Sequence, residues 1–517
     1  MKCDIVIAVW NLKEITQQCI ESIIKNTEAP YRLILVDDAS QEPARQYLES
    51  LREDKRIGEY LLIRNETNLG ATKSFNRGMQ ASSAEYVVLL NNDTLVTAGW
   101  LTEMIAVAES AVDIGIVNPA SNNLGQHPPK GIPLDEYAAS RRKKFHGEYI
   151  EMATAVGFCY LMKRRLLDKI GLWNEQYGLG YFEETEHCIR ARQNGYRIVM
   201  AKGAYVYHYE KSSFKLIFDY EKLFEANQKK FREIFGKSPR LLYIFSRHDR
   251  RFFYSLRDTV RRRANDRGWV HVFKKYSVGD PGFGEHTNIK VCSLFGWAFG
   301  VRCLWGIVKK KKRYDEIYVD DEKLCRFLRT FSFVHRGKVE WIRPAPCEVK
   351  ILDVGCGGAK LPGALGIDMQ AQPGVDIVCD LNSYPWPLND NSFDILNCNN
   401  VMEHVDNVLK TMEELHRIGK NGAVILIDTC HFSHPNSYRD PTHKWHFTSG
   451  TFDYFTGDIE YPRYSDCKFK MLKKELRFKK KYCRGRFWSF FSVRRYEKYY
   501  CHRCPADGLY FELEIVK

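Results

Sequence analysis

The chain has 517 residues, 44% of them apolar, with 78 Lys and Arg against 64 Asp and Glu for a net charge of +14. That length allows two or three globular domains, and the composition excludes a disordered, collagen-like or small disulfide-framed protein. Its sixteen cysteines are scattered, and Met1 to Trp10 reads as a strand with no basic region ahead of it, so reduced thiols in a cytoplasmic protein are expected.

The first region, 1–236, alternates strand and helix. Cys3 to Val9, Leu33 to Val36, Tyr60 to Arg64 and Tyr86 to Leu90 read as strands; Ile15 to Lys25 and Ala71 to Ala81 have helical spacing. This rhythm predicts a mostly parallel sheet, which binds ligands at the carboxyl ends of its strands. Asn11, Asp37, Asp38 and the turn Asn91-Asn92-Asp93 fall at those ends. Asp93 offers a hard oxygen to Mg²⁺ or Mn²⁺, and Asn68-Leu69-Gly70 opens a helix toward the same edge. Downstream, Glu183, Glu184 and Glu186 open a helix, and Tyr205 to His208 ends a strand with an imidazole. A cation to neutralise a departing diphosphate and a carboxylate to take a hydroxyl proton are what sugar transfer from a nucleotide donor requires.

Residues 1 to about 215 resemble a family-2 glycosyltransferase with the GT-A fold. Ile5-Val6-Ile7-Ala8-Val9-Trp10-Asn11 is similar to its first strand, and Val36-Asp37-Asp38-Ala39-Ser40 and Asn68-Leu69-Gly70 to its nucleotide-binding segments. Asn91-Asn92-Asp93 is similar to its metal-binding turn, and Gly157-Phe158-Cys159 to its acceptor-side strand. The resemblance implies transfer with inversion from a UDP-, dTDP- or GDP-sugar. It implies Asn11, Asp37, Asp38, Asn68, Gly70 and Asn92 as substrate contacts, Asp93 and His208 as metal ligands, and Glu184 as the base. Glu184 stands where the family usually has Asp, and Glu186 is the second choice of base.

The middle, 237–345, is basic and carries no catalytic motif. Leu241 to Phe245, Val270 to Phe273 and Glu316 to Val319 are expected strands, and Phe253 to Arg267 a basic helix, giving a small α/β or helical connecting region. Val291 to Val308 is apolar but short for a bilayer span and interrupted by Arg302. A buried core segment is expected there, with an interfacial one pinned by the run from Lys309 to Arg313 as the alternative. Lys237 to Arg313 holds nineteen basic against five acidic residues, and Lys468 to Arg503 fourteen against two, so the remainder is net acidic. Such segments suit an anionic lipid-pyrophosphate carrier or the inner face of a membrane, or simply a solvated surface. No aromatic-rich recognition motif points to nucleic acid.

The third region, 346–517, opens with Ile351-Leu352-Asp353-Val354-Gly355-Cys356-Gly357-Gly358, a buried strand running into a glycine loop. Val375 to Cys379, Phe393 to Asn397 and Ala423 to Asp428 are expected strands and Val408 to Ile418 a helix. Asp368 ends a short strand, where a ribose seeks a carboxylate, and Asp380 ends a third strand with another acid. The ordered set resembles the class I S-adenosylmethionine-dependent methyltransferases, implying a Rossmann-like domain. The resemblance implies Asp353, Gly355, Gly357, Asp368 and Asp380 as S-adenosylmethionine contacts. The gap from loop to Asp368 is short, so the first helix must be cut down. His404 and His443, the latter in Asp440-Pro441-Thr442-His443, are candidate bases for a sugar hydroxyl. Cys501-His502-Arg503-Cys504 is a weak zinc pattern, with Cys467 and Cys483 as distant partners. The whole reads as a bifunctional enzyme that extends and methylates a saccharide in surface polysaccharide assembly. The alternatives are a glycosyltransferase with a methyltransferase-like docking module, or a methyltransferase acting on an unrelated partner.

Overall fold

The computed structural model describes residues 3–209, 220–294, 298–309, 313–342, 349–456, 465–478 and 483–517. Three sheets follow one another along the chain.

The first contains β1 (Cys3–Val9), β2 (Tyr31–Asp37), β3 (Glu59–Arg64), β4 (Tyr86–Leu90), β5 (Thr94–Val96), β6 (Ile114–Ala120), β7 (Tyr149–Glu151), β8 (Cys159–Lys163) and β9 (Arg197–His208). Their order is β3-β2-β1-β4-β8-β6-β9-β5, with β7 on β9. The strands β1 to β4 are parallel; β1, β2 and β4 are buried on both faces and read as largely apolar runs, whereas β3 at the edge is half-buried. Apolar clusters fill both sides: Ile5, Leu33 and Val88 face one, Val6, Ile34 and Val87 the other.

The second sheet is formed by β10 (Arg240–Phe245), β11 (Trp269–Lys275), β12 (Ile289–Leu294), β13 (Glu316–Val319) and β14 (Lys338–Trp341). Its order is β12-β11-β10-β13-β14, every pair parallel. Counted within the unit this is 3-2-1-4-5, a doubly wound sheet with a topological switch between β10 and β13. The α/β alternative for this region holds, with two strands more than the sequence suggests. The basic helix spans Arg250–Asn265, three residues earlier than expected, because the Asp249 side chain caps it by accepting from Phe252 N at 3.1 Å. Phe253, Val260 and Ala264 bury its inner face; each large apolar side chain so enclosed contributes about 1.5–3 kcal/mol. The apolar stretch from Val291 divides between β12 and the helix Phe299–Lys309, whose Phe299, Cys303 and Ile307 enter the core. No helix among the described residues is long and apolar enough to cross a membrane. Residues 295–297 of that stretch, and 310–312 and 479–482 of the basic segments, lie outside the described residues.

The third sheet holds β15 (Ile351–Val354), β16 (Leu365–Asp368), β17 (Ile377–Val378), β18 (Phe393–Asn399), β19 (Gly419–Cys430), β20 (Lys468–Arg477) and β21 (Gly508–Val516), ordered β17-β16-β15-β18-β19-β21-β20. Its first five strands are parallel and repeat the 3-2-1-4-5 order, and β21 inserts antiparallel beside β19. No helix forms between β15 and β16. One face carries a large apolar cluster including Phe511 and Leu513; the opposite face has a small one around Ile351 and Ile395.

The Arg250–Asn265 helix supplies cover to that second face. His248 and Arg250 both bind Glu512 of β21, Tyr254 Oη donates to Asp394 Oδ1 at 2.8 Å, and Arg257 Nη1 donates to Gly422 O at 2.6 Å. From the same helix Arg261 pairs with Glu151 of the first sheet, and Thr287 N, just ahead of β12, donates to Glu151 O at 2.9 Å. One helix therefore ties three sheets together.

Candidate active sites

The first site lies at the carboxyl edge of β1, β2 and β4. Backbone turns there are tight: Asn11, Leu12 and Ala39 have φ of 56°, 53° and 59°. Asp37 is wholly buried; its Oδ1 accepts from Ser40 N at 2.9 Å and its Oδ2 from Arg64 Nε at 2.8 Å. Asn11 N donates to Ser40 Oγ at 2.9 Å and Asn11 Oδ1 accepts from Gln41 N at 2.8 Å. These two expected substrate contacts shape the turns and do not line the cavity, since a buried carboxylate must be paired.

Asp38 does line it. Its Oδ1 accepts from Leu69 N at 2.8 Å and its Oδ2 from Gly70 N at 2.9 Å, pinning the 68–70 loop. Gly70 has φ 85°, and a Cβ there would sit 2.6 Å from Leu179 Cδ2. The glycine is thus what lets the 178–182 loop close over a cavity of about 410 Å³, lined also by Trp10, Asn68, Phe75, Asn92, Asp93 and His208.

Asp93 and His208 are 115 positions apart, and the antiparallel register Thr94↔His208 between β5 and β9 brings them together. His208 Nε2 lies 3.1 Å from Asp93 Oδ1, both nearly buried. Asn122 brackets the His208 backbone with bonds of 2.9 and 2.8 Å, Asn123 Nδ2 reaches Nδ1 at 3.2 Å, and Phe158 stacks on the ring. Sequence reasoning missed Asn122 and Asn123, which sit in the single 3₁₀ turn Asn122–Leu124 with no motif of their own. A carboxylate and an imidazole sharing one cavity form a donor set that fits a divalent cation.

Glu184 does not line this cavity but stands one step from it. A Cβ on Gly157 would lie 4.0 Å from Glu184 Cγ, and Gly157 precedes Phe158. The helix Glu183–Gln193 is entered through Tyr181 and Phe182 at φ 72° and 79°, strained values for such residues. Burial raises both Glu183 and Glu184, the latter to about 7. Glu186 is held by Arg190 at 2.9 Å, and Arg190 Nη2 also donates to Leu172 O at 2.7 Å. That structural ion pair disfavours Glu186 as a base.

The second site follows β15. Gly355 and Gly357 have φ of 63° and 49°; a Cβ on Gly355 would meet Val401 Cγ2 at 2.5 Å, whereas one on Gly357 meets nothing within 4 Å. Gly357 N donates to Asp368 Oδ2 at 2.9 Å, joining the loop to the end of β16. Asp353 is nearly buried, accepting from Leu361 N and Asn397 Nδ2, both at 2.7 Å. It therefore braces the loop, and its carboxylate is not open to a cofactor as expected. Asp380 Oδ1 accepts from Asn382 N at 2.9 Å and is exposed at the same edge. Positive-φ glycines beside two partly open carboxylates fit a nucleoside cofactor. His404 and His443 meet with ring centroids 4.7 Å apart. Cys501 is buried with Sγ donating to Glu497 O at 2.9 Å, and among the described residues no metal-type cluster includes it.

Residues 4–171 match the model of Glycosyl transferase family 2, and residues 362–427 that of a Methyltransferase domain. The chain is 25% identical over 226 residues to the uncharacterized protein y4gI of Sinorhizobium fredii, covering 40% of this chain and 24% of that one. It is 25% identical to glycosyltransferase GlyG of Streptococcus pneumoniae, over 22% of this chain and 38% of the relative. With the glucosyl-dolichyl phosphate glucuronosyltransferase of Haloferax volcanii it shares 22% identity, over 60% and 97%. The chain thus spans less than half the length of the first two. A mannosyltransferase structure from Pyrobaculum calidifontis, in complex with GDP-Man and Mn²⁺, is similar at 16% identity over 40% of this chain and 56% of that one, with a TM-score of 0.33. On the two family models, the chain carries a glycosyl transferase family 2 domain and, C-terminal to it, a methyltransferase domain.

Proposed function

We propose that the chain is a bifunctional enzyme of surface polysaccharide assembly, with a sugar-transfer unit over 1–236, a basic connecting unit over 237–345 and a methyl-transfer unit over 346–517. The observation that carries the reading is the Asp93–His208 pair in a cavity that the Asp38-pinned loop and Leu179 close. A UDP-, dTDP- or GDP-sugar lies in that cavity, with Asn68, Gly70 and Asn92 along it. Asp93 and His208 hold a divalent cation, and one imidazole among the donors suits Mn²⁺ better than Mg²⁺. The cation, when bound, neutralises the leaving diphosphate. Glu184 takes the proton of the acceptor hydroxyl, and direct displacement inverts the anomeric centre. A carboxyl raised to about 7 is well matched to that proton near neutral pH.

In the C-terminal unit, Gly355, Gly357, Asp368 and Asp380 cradle S-adenosylmethionine, which supplies the methyl group, while His404 and His443 serve a sugar hydroxyl. The acceptor is a saccharide, carried on a lipid pyrophosphate. The Phe299–Lys309 helix turns Val301 and Trp305 outward, 57% and 61% exposed, ahead of a lysine run, which favours a peripheral contact with the inner membrane face.

The test is release of nucleoside diphosphate from each of the three donor classes with Mn²⁺. We expect turnover with one class and its loss, by about 100-fold or more, in Glu184→Gln. The rate should rise with pH through about 7 as Glu184 loses its proton. Undiminished turnover in Glu184→Gln would remove that residue from the chemistry.

A further inference from the structure

Glu403 follows β18 and is fully enclosed. Its Oε2 accepts from Thr429 Oγ1 at 2.9 Å, while Oε1 is buried and has no hydrogen-bond partner. A buried carboxylate oxygen left bare is costly and calls for an explanation. Beside it lie His404 and His443, and one ligand atom from each of the three side chains falls within 4.8 Å of the other two.

The surrounding hydrogen bonds fix both ring tautomers. His443 Nδ1 lies 3.2 Å from Ser437 O, which can only accept, so Nδ1 carries the proton. Thr442 Oγ1 gives its single hydrogen to Asp440 Oδ1 at 2.6 Å, so toward His404 Nδ1, 2.8 Å away, it must accept. Each neutral ring therefore donates through Nδ1 and presents a lone pair at Nε2. An outer partner that receives the second ring N–H is how metal-binding imidazoles are oriented.

We propose that Glu403, His404 and His443 form a divalent transition-metal site of the zinc class, with remaining coordination positions open toward the acceptor. Glu403 is sealed while both imidazoles are half-buried, so the open side faces outward. The site also belongs to the cofactor edge, since Val401, two residues before Glu403, packs on Gly355. The role of the metal rests on the methyl-transfer reading above: the cation, not a bare imidazole, acidifies the sugar hydroxyl. The hydroxyl proton passes to solvent and the oxygen bonds to the methyl carbon. The S–C bond breaks as it forms, and S-adenosylhomocysteine leaves.

The test is Co²⁺ titration of the full chain carrying Asp93→Ala, which removes the competing carboxylate of the first site. It is read by visible absorption and by metal content after gel filtration, with melting curves to confirm folding. We expect one equivalent bound, affinity lowered at least about tenfold by His404→Ala, His443→Ala or Glu403→Gln, and no change in His446→Ala. Absence of binding, or binding undisturbed by every one of the three substitutions, overturns the site. Metal bound in the expected way without methyl transfer to saccharides leaves the site standing and fails the methylation reading. Methyl transfer undiminished after chelation overturns the role of the cation.

Discussion

The middle and C-terminal sheets share the strand order 3-2-1-4-5 and use the loop after their first strand in opposite ways. After β15 the chain runs through Gly355-Cys356-Gly357-Gly358, with positive φ at two glycines and no helix before β16, so backbone is left open at the switch point. After β10 it runs through Ser246-Arg247-His248-Asp249. Ser246 N and Arg247 N both donate to Asp320 Oδ2, and Asp249 caps a full helix. His248 and Arg250 at that loop reach into the C-terminal sheet and hold Glu512. The same crevice is thus left open by its loop in one unit and serves as a docking foot in the other. Strand order supplies the crevice; the side chains in the loop decide its use.

The comparison breaks most severely at Arg250. Glu512 is completely enclosed, and burial alone would raise its pKa, but the His248 hydrogen bond and the Arg250 charge hold it at about 2. Arg250→Ala leaves that buried charge with the His248 hydrogen bond alone and should destabilise the fold by about 3–5 kcal/mol, read by chemical denaturation. Gly355→Val tests the other loop: its Cβ would strike Val401 at a φ of 63°, so S-adenosylmethionine affinity should fall by about 100-fold or more while the melting point of the first unit stays put. Titration to acid sharpens the docking role. A folded pKa below the ordinary 4.5 means stability that is present above about 4.5 and lost as pH falls toward 2, so loosening of the contact between units should track that window. Tyr254→Phe removes the 2.8 Å bond to Asp394 and should cost about 1 kcal/mol. Smallest of all, Ser246→Ala should leave the binding of both ligands unchanged, because the middle loop takes neither.

Much of the fold was legible in the inner strands: β1, β2, β4, β10, β13, β15 and β18 are largely apolar runs that end in polar residues or glycine. The edges were not. Lys338–Trp341 alternates charge with apolar residues at the sheet margin, and Ile289–Leu294 is masked by the apolar stretch after it. Of the strand expected over Val375 to Cys379 only Ile377–Val378 pairs, because it has a neighbour on one side alone. The period-two pattern Leu509, Phe511, Leu513, Ile515 of β21 was present but overshadowed by the nearby cysteines. At the sites, residue types pointed to Asp93, His208, Gly355 and Asp368. What separates a ligand contact from a brace did not show: Asp37 is taken by Arg64, 27 positions away, and Asp353 by Asn397, 44 away. Glu403 has no signal of its own beside His404 in the sequence; its enclosure next to two imidazoles is what points to the metal role proposed above.

The central claim is that two independent sites share one chain, and calorimetric titration of the intact protein tests it most directly. S-adenosylmethionine and, separately, UDP, dTDP or GDP with Mn²⁺ would be titrated into the unaltered chain, Asp93→Ala and Asp368→Ala. Saturable binding of the cofactor and of one nucleotide is predicted, each lost only in the variant of its own site. Failure of the unaltered chain to bind either S-adenosylmethionine or all three nucleotides would contradict the account and leave that unit as a scaffold.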